Sequence, residues 1–83
     1  MVLHPYERNL LEIALKANGW ISHADLTLRL KNVVFPTSPR TAGVVAAAER
    51  FIGQLVSKGL LERRQVELVR TYTISKAGRE VFA

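Results

Sequence analysis

The side chains that could do chemistry are few in this chain, and their spacing argues against catalysis. Ser22, His23 and Asp25 would lie on one helical turn, where they do not form the line of nucleophile, base and orienting acid that acyl transfer needs. Helix capping explains Ser22 and Asp25 better. There is no cysteine, and His4 and His23 are far apart in sequence without an acidic cluster, which makes a poor metal site. With no glycine-rich phosphate loop either, we predict a protein that is not an enzyme and has neither cofactor nor metal.

Lysine and arginine are the remaining candidates, and they are unevenly distributed. The net charge of the 83 residues is +5. Residues 1–28 carry two basic against three acidic side chains, a balance of −1, whereas residues 29–83 carry ten against four, a balance of +6. Such a basic region in a small domain is typical of a nucleic-acid-binding surface. A merely solubilising surface would have the same charge, and charge alone does not decide between the two readings.

Length and hydropathy predict one small cytoplasmic domain, residues 1–83. The start of the chain lacks the basic and apolar segments of a signal peptide. No apolar stretch approaches the roughly 18 residues of a membrane-spanning helix. We therefore expect no contact with a membrane.

The longest stretch that is compatible with one helix covers residues 39–58. Thr37 or Ser38 can cap its first turn, and Pro39 suits the first helical position. Gly59 is expected in the left-handed turn that ends the helix. Helical spacing predicts an inward face of Val45, Ala48, Ile52 and Leu55, widened by Val44, Phe51 and Val56.

The N-terminal third predicts two further helices. The first covers residues 5–18, and its apolar residues are spread so broadly that we expect burial on two sides, including contact with a second subunit. Trp20 and Ile21 form an extended connector whose side chains are expected in the core. Ser22 caps a second helix that runs to about residue 31.

Residues 32–38 are harder to assign. Val33, Val34 and Phe35 favour a strand, and Pro36 requires an extended residue before it. We expect a short buried segment or an ordered loop that carries Phe35 into the core.

Two strand candidates, residues 60–66 and 69–75, predict a β-ribbon after the long helix. Its arginines, Arg63, Arg64 and Arg70, would give it basic flanks. Alternation along the strands is expected to bring Arg64 and Arg70 close together, so that their repulsion would favour a bound phosphate. A charged edge strand that prevents aggregation is the alternative. The tip of the ribbon is apolar, with Val66, Leu68 and Val69.

Helix, helix, longer helix and basic ribbon is the element order of a winged helix-turn-helix domain. Three motifs resemble bacterial and phage-type regulators of this family: Lys58-Gly59-Leu60-Leu61, Arg70-Thr71-Tyr72 and Ser75-Lys76-Ala77-Gly78. The resemblance implies a mainly α fold with a small β-ribbon, namely a three-helix core, a two-stranded wing and a short C-terminal helix over residues 76–82. Between Leu26 and Ala48 the chain is longer than a minimal family member.

The resemblance also implies a function: a small transcriptional regulator that contacts duplex DNA with the long helix and the wing. The family's spacing turns Ala46, Ala47, Glu49, Arg50 and Gln54 toward the groove, and of these only Arg50 and Gln54 can donate hydrogen bonds to DNA. The expected DNA-binding residues are Ser38, Arg40, Thr41, Arg50, Gln54, Arg63, Arg64 and Arg70. A homodimer through the first and last helices is expected. The alternative is a protein–protein interaction module or assembly subunit that uses the apolar ribbon tip.

Overall fold

A computed structural model of the chain describes residues 2–34 and 42–83. Within them lie four helices and three strands of one antiparallel sheet, a small α+β fold. The elements are α1 (Pro5–Ala17), β1 (Ile21–Ser22), α2 (His23–Val34), α3 (Ala42–Ser57), β2 (Leu61–Val66), β3 (Val69–Ile74) and α4 (Lys76–Glu80). The predictions for Phe35, Ser38, Arg40 and Thr41 lie outside the described residues.

Local capping chemistry sets the bounds of the first two helices. Glu7 accepts a hydrogen bond from the backbone N–H of His4 at 3.0 Å, and α1 ends as predicted, with Asn18 in the left-handed region at φ 52°. Ser22 Oγ accepts from the N–H of Asp25 at 3.1 Å, which confirms the predicted cap of α2. This helix continues to Val34. The strand preference of Val33 and Val34 therefore gave a wrong prediction of their conformation. Packing of the helix against α1 and α3 overrides that preference.

The inward face of α3 was predicted with one error. Val44, Ala48 and Leu55 are buried, together with Phe51 and Ile52, but Val45 is 49% exposed. Residues 44, 48, 51 and 55 follow the line that faces the core, and Val45 is rotated about 100° from its neighbour Val44. Gly59, at φ 74°, ends the helix in the predicted left-handed turn, where Leu60 N–H donates to the carbonyl of Leu55 at 2.9 Å.

The predicted ribbon is present, but it belongs to a three-stranded sheet with the order β1-β3-β2. β1 pairs with β3 through Ile21 opposite Tyr72, which joins the N-terminal part of the chain to the hairpin. A two-stranded wing was therefore an incomplete prediction, because a strand of two residues has no periodicity to detect. The hairpin turns at Glu67, which has a positive φ of 56°.

The helical side of the sheet carries the core. Leu61, Ile74 and Tyr72 are buried there. Trp20 was predicted in the core but is 43% exposed, since it precedes the inward-facing Ile21 and so lies toward the other face of the sheet.

The last helix, α4, is shorter than the predicted residues 76–82. Ser75 caps it, with Oγ accepting from the N–H of Gly78 at 3.0 Å. Gly78 is buried against the hairpin base, where an added Cβ would lie 2.3 Å from the carbonyl oxygen of Leu60. A side chain at this position would therefore force the hairpin base to shift.

The broad apolar surface of α1 is used within one chain. Leu10, Leu11 and Ala14 are fully buried, and α1 contacts α2, α3 and β3. The large apolar side chains that are exposed in the described ranges lie on other elements or near the N-terminus: Val2, Trp20, Leu28, Val33, Val45, Val66, Leu68 and Val69. The most deeply buried part of this surface thus belongs to the chain's own core, while Ile13 and Leu15 are only partly buried. In the part of the chain that the structure describes, no helix has the length and apolar character to cross a membrane.

Candidate nucleic-acid interface

The candidate DNA-binding side chains of the described residues come from α3 and the hairpin. Arg50 is exposed and Gln54 partly exposed on α3. Arg63 and Arg64 follow each other on β2, and Arg70 lies on β3. Ser38, Arg40 and Thr41 belong to the segment that is not described.

The strand register separates two of the arginines. Arg64 is opposite Thr71, and Arg70 is opposite Gln65. Side chains of directly opposite residues share a face, and successive residues alternate between faces. Arg64 and Arg70 therefore project from opposite faces of the sheet, and the prediction that they lie close together was wrong. The difference is a single step in the register, which the sequence of the turn did not specify.

Arg70 is neutralised by a carboxylate of α3. Its Nη1 and Nη2 donate to the two oxygens of Glu49, at 2.8 and 3.1 Å. Such a two-pronged pair has the preferred geometry of arginine with a carboxylate. The hydrogen bond from Arg70 holds the pKa of Glu49 below its usual value, and the same bond raises the pKa of Arg70. The charge of Arg70 is thus already balanced within the protein.

His23 extends this pair into a polar network. Its Nε2 lies 3.1 Å from a carboxylate oxygen of Glu49, and its Nδ1 lies 3.3 Å from the hydroxyl oxygen of Tyr72. Burial, together with the nearby charge of Arg70, lowers the pKa of His23 despite the opposing effect of Glu49. The imidazole is therefore neutral at pH 7. In that form Nε2–H donates to Glu49 and Nδ1 accepts from the Tyr72 hydroxyl.

The position of this network in the fold indicates a structural role. A hydroxyl, an imidazole and a carboxylate in sequence resemble a catalytic line, but Tyr72 is only 2% exposed and its ring is part of the core. What the network does is join α2, α3 and β3 through His23, Glu49 and Tyr72. It therefore fixes the hairpin relative to the long helix.

Three arginines of α3 and β2 keep uncompensated charges. Among the described residues, no carboxylate lies within 4.0 Å of the guanidinium of Arg50, Arg63 or Arg64. Arg50 lies over the ring of Phe51, with its guanidinium carbon 5.6 Å from the centroid. Arg64 lies over the ring of Trp20 at 4.3 Å. These cations can meet an anionic partner without first breaking an ion pair.

Most of the remaining outward-facing residues of α3 have small side chains. Ala46, Gly53 and Ser57 are exposed on the side opposite the buried line. A surface of small side chains allows close approach of another molecule but supplies few donors for base edges. Charge on the hairpin is consequently the stronger feature of this interface.

The hairpin tip is the most exposed apolar feature of the described chain. Leu68 is 94% exposed, and Val66 and Val69 are about half exposed. Beside it is an open depression of about 360 Å³. Its lining residues are Ser22, His23, Ala24, Leu68, Val69 and Arg70.

The sequence reasoning missed three of these contacts. Successive side chains of a strand point to opposite faces, so an inward-facing Ile21 places the neighbouring Trp20 outside the core. This signal was present in the sequence. The bonds of His23 and of Arg70 to Glu49 join residues that are far apart in sequence, and no local pattern reports them.

The described residues contain no cluster of three or more histidine or acidic side chains that could hold a metal ion. Comparison with known proteins adds no family: no protein-family model, curated protein or solved structure matches the chain significantly.

Proposed function

We propose that this chain is a winged helix-turn-helix protein that binds duplex DNA through α3 and the hairpin and acts as a small transcriptional regulator. Two helices, a longer helix and a hairpin follow one another in the order of that family. Further support comes from the direct exit of α3 through Gly59 into β2. The short strand β1 and the network of His23, Glu49 and Tyr72 hold the hairpin against the helices.

The observation that carries the proposal is that two arginines of the hairpin, Arg63 and Arg64, have no carboxylate within ion-pair distance in the described chain. Arg70 is paired, but Arg63 lies near enough to Glu49 to lower the pKa of that carboxylate further. Glu49, Glu62 and Glu67 equal the three arginines of the hairpin in number. In the described chain Glu62 and Glu67 form no ion pair, and neither do Arg63 and Arg64, so these two guanidinium groups stay available. Protein–DNA affinity depends strongly on such cations, because each phosphate contact releases counterions from DNA.

Titration of a DNA duplex at several salt concentrations tests the proposal. If Arg50, Arg63 and Arg64 each contact one phosphate, the slope of log K against log salt is about −2.7, from about −0.9 per phosphate. Replacing any of the three with alanine is expected to make the slope less steep by about 0.9. The matched control is Lys16→Ala, which removes the same charge from α1, where Lys16 pairs with Glu12 at 3.1 Å. Negligible binding at low salt would overturn the proposal.

The quaternary structure and location belong to the same proposal. Helix-turn-helix regulators commonly bind as dimers to half-sites one helical turn apart. We propose a cytoplasmic homodimer on that ground, although the most deeply buried part of the apolar face of α1 belongs to the chain's own core. Light scattering of the free protein and of its complex with a palindromic duplex measures the number of chains. One chain per duplex at saturation would remove the dimer.

The apolar tip favours a second candidate, a protein-interaction module. Exposed apolar patches commonly mark protein contacts, and Leu68 is almost fully exposed. If the tip is the contact, Leu68→Ser abolishes self-association or assembly seen by light scattering, and Arg64→Ala leaves it unchanged. If DNA binding is the function, the two variants have the reverse ranking in the duplex titration.

A further inference from the structure

The sheet has an outer face that is turned away from the helices. Tyr72, Ile74 and Leu61 mark the inner, buried face. Arg64 and Thr71 are opposite each other on the outer face, and Trp20 adjoins the inward-facing Ile21. The outer face therefore carries an exposed aromatic ring beside an arginine without a carboxylate partner.

The contact between these two side chains has a specific geometry. The guanidinium carbon of Arg64 lies over the indole of Trp20, 4.3 Å from the ring centroid. A cation–π contact leaves the guanidinium charged and uses none of the hydrogen bonds that its N–H groups can donate to an oxygen acceptor. In the described residues no protein acceptor takes a hydrogen bond from the side chain of Arg64. Those donors are free for an anionic group with two oxygen acceptors.

The backbone of Arg64 is also held in place, by a hydrogen bond between the two strands. Thr71 Oγ1 donates to the carbonyl oxygen of Arg64 at 2.7 Å, across the two strands. Arg64 is thus fixed at its Cα by the hairpin and at its guanidinium by the ring of Trp20. A long side chain loses much rotamer freedom when it binds a ligand, and a side chain that is already held loses less.

Arg70 is an internal contrast on the same hairpin. It projects from the other face, and both of its terminal nitrogens donate to Glu49. One arginine is held by an acid that cancels its charge, and the other is held by a ring that leaves its charge and its donors free. Both residues are arginines, but only the guanidinium of Arg64 is available to bind an anionic ligand.

We propose that Trp20 is a positioning residue that presents Arg64 to a phosphate of the DNA backbone, so that the outer face of the sheet is part of the DNA-binding surface. This inference rests on the proposed function. The partner chemistry is a phosphodiester, whose two free oxygens match the paired N–H groups of a guanidinium. Trp20 itself donates nothing to the phosphate and acts through Arg64.

Duplex titration at several salt concentrations, with five variants, tests the role of each residue. Arg64→Ala is expected to reduce the salt slope by about 0.9, whereas Arg70→Ala leaves it unchanged. Trp20→Leu is expected to weaken binding about two- to fivefold, the range of an exposed cation–π contact, and Trp20→Phe to retain most of the affinity. In the double variant of Trp20→Leu and Arg64→Ala, binding is no weaker than in Arg64→Ala alone, because the ring acts only through the arginine.

The indole supplies an independent readout, since Trp20 is the only tryptophan of the chain. Binding of duplex to the wild-type protein is expected to change its fluorescence, and this change is lost in Arg64→Ala. Circular dichroism tests whether each variant is folded. Because Trp20 is half-exposed, its substitutions are expected to leave the fold intact. If Trp20→Leu does not fold, Trp20→Phe, which keeps an aromatic ring, takes its place.

The outcomes separate this inference from the proposed function. If the wild-type protein binds duplex with a steep salt slope that Arg64→Ala does not change, the role of Trp20 and Arg64 is refuted and DNA binding stands. Additive effects of the two substitutions would likewise refute the coupling. If the wild-type protein does not bind duplex at low salt, both proposals fall.

Discussion

Glu49 is expected to limit DNA binding, and Glu49→Gln should therefore strengthen it. The carboxylate accepts two hydrogen bonds from Arg70 and lies 3.1 Å from His23 Nε2. Glutamine keeps the size of the side chain and an acceptor for His23 but removes the charge that neutralises Arg70. Arg70 then becomes a further uncompensated cation beside Arg63, and the protein loses one acid next to the phosphates.

The magnitude follows from counterion release. One added phosphate contact makes the slope of log K against log salt steeper by about 0.9. Between about 200 and 50 mM salt, a fourfold change, the affinity of Glu49→Gln should therefore rise about three- to fourfold more than that of the wild-type protein. The cost in stability is expected to be small, because the pair of Glu49 and Arg70 is exposed.

Fluorescence anisotropy of a labelled duplex at four or five salt concentrations measures this slope. The control is Glu12→Gln, which makes the same change of charge on α1, where Glu12 pairs with Lys16 at 3.1 Å. In an Arg70→Ala background, Glu49→Gln is expected to leave the slope unchanged. A slope that is unaltered by Glu49→Gln alone, or an affinity that falls, would refute the reasoning.

Three stability predictions concern the ends of the hairpin and of α3, and chemical denaturation measures each. Lys58→Met should cost about 1–3 kcal/mol, because Glu7 is 3% exposed and loses its partner at 2.6 Å. Burial alone would raise the pKa of Glu7, but Lys58 and the N–H of His4 outweigh it and lower the pKa. This contribution is therefore present above the ordinary pKa of 4.5 and is lost as the pH falls through the folded value, so the wild type and the variant should converge in acid. Gly78→Ala should cost about 1–3 kcal/mol because its methyl group would overlap the hairpin base, and equal stability would contradict the close approach. Glu67→Asn should stabilise by about 0.5–1 kcal/mol, since asparagine tolerates positive φ, and a loss would show that Glu67 is not strained.

Features that depend on a few neighbouring residues could be predicted from the sequence. The cap at Ser22, the cap at Ser75 and the left-handed turns at Asn18 and Gly59 are all local chemistry, and the structure has each of them. The hairpin and most of the inward face of α3 follow from periodicity. These patterns need no knowledge of what the segment packs against.

Features that depend on pairing across the chain could not be predicted. A shift of one residue in register decides whether Arg64 and Arg70 share a face, and the residues of the turn leave that shift open. The helical conformation of Val33 depends on packing of the whole of α2 and not on the preference of valine. The neutralisation of Arg70 requires Glu49, which comes close only when α3 and β3 are placed together.

Two hydrogen bonds from Ser75 close the base of the hairpin, and they limit how the hairpin can move. Ser75 N–H donates to the carbonyl of Leu60 at 3.1 Å, and Ser75 Oγ donates to the carbonyl of Gly59 at 2.6 Å. The end of β3 is thereby tied to the turn from which β2 departs. The hairpin is therefore not hinged at its base, and the pairing of β1 with β3 and the bonds of Arg70 to Glu49 restrain it further along its length. Leu68 lies in the turn beyond all of these contacts, so we expect adjustment to the shape of a partner to be concentrated in the tip, while Arg64 is held by the ring of Trp20.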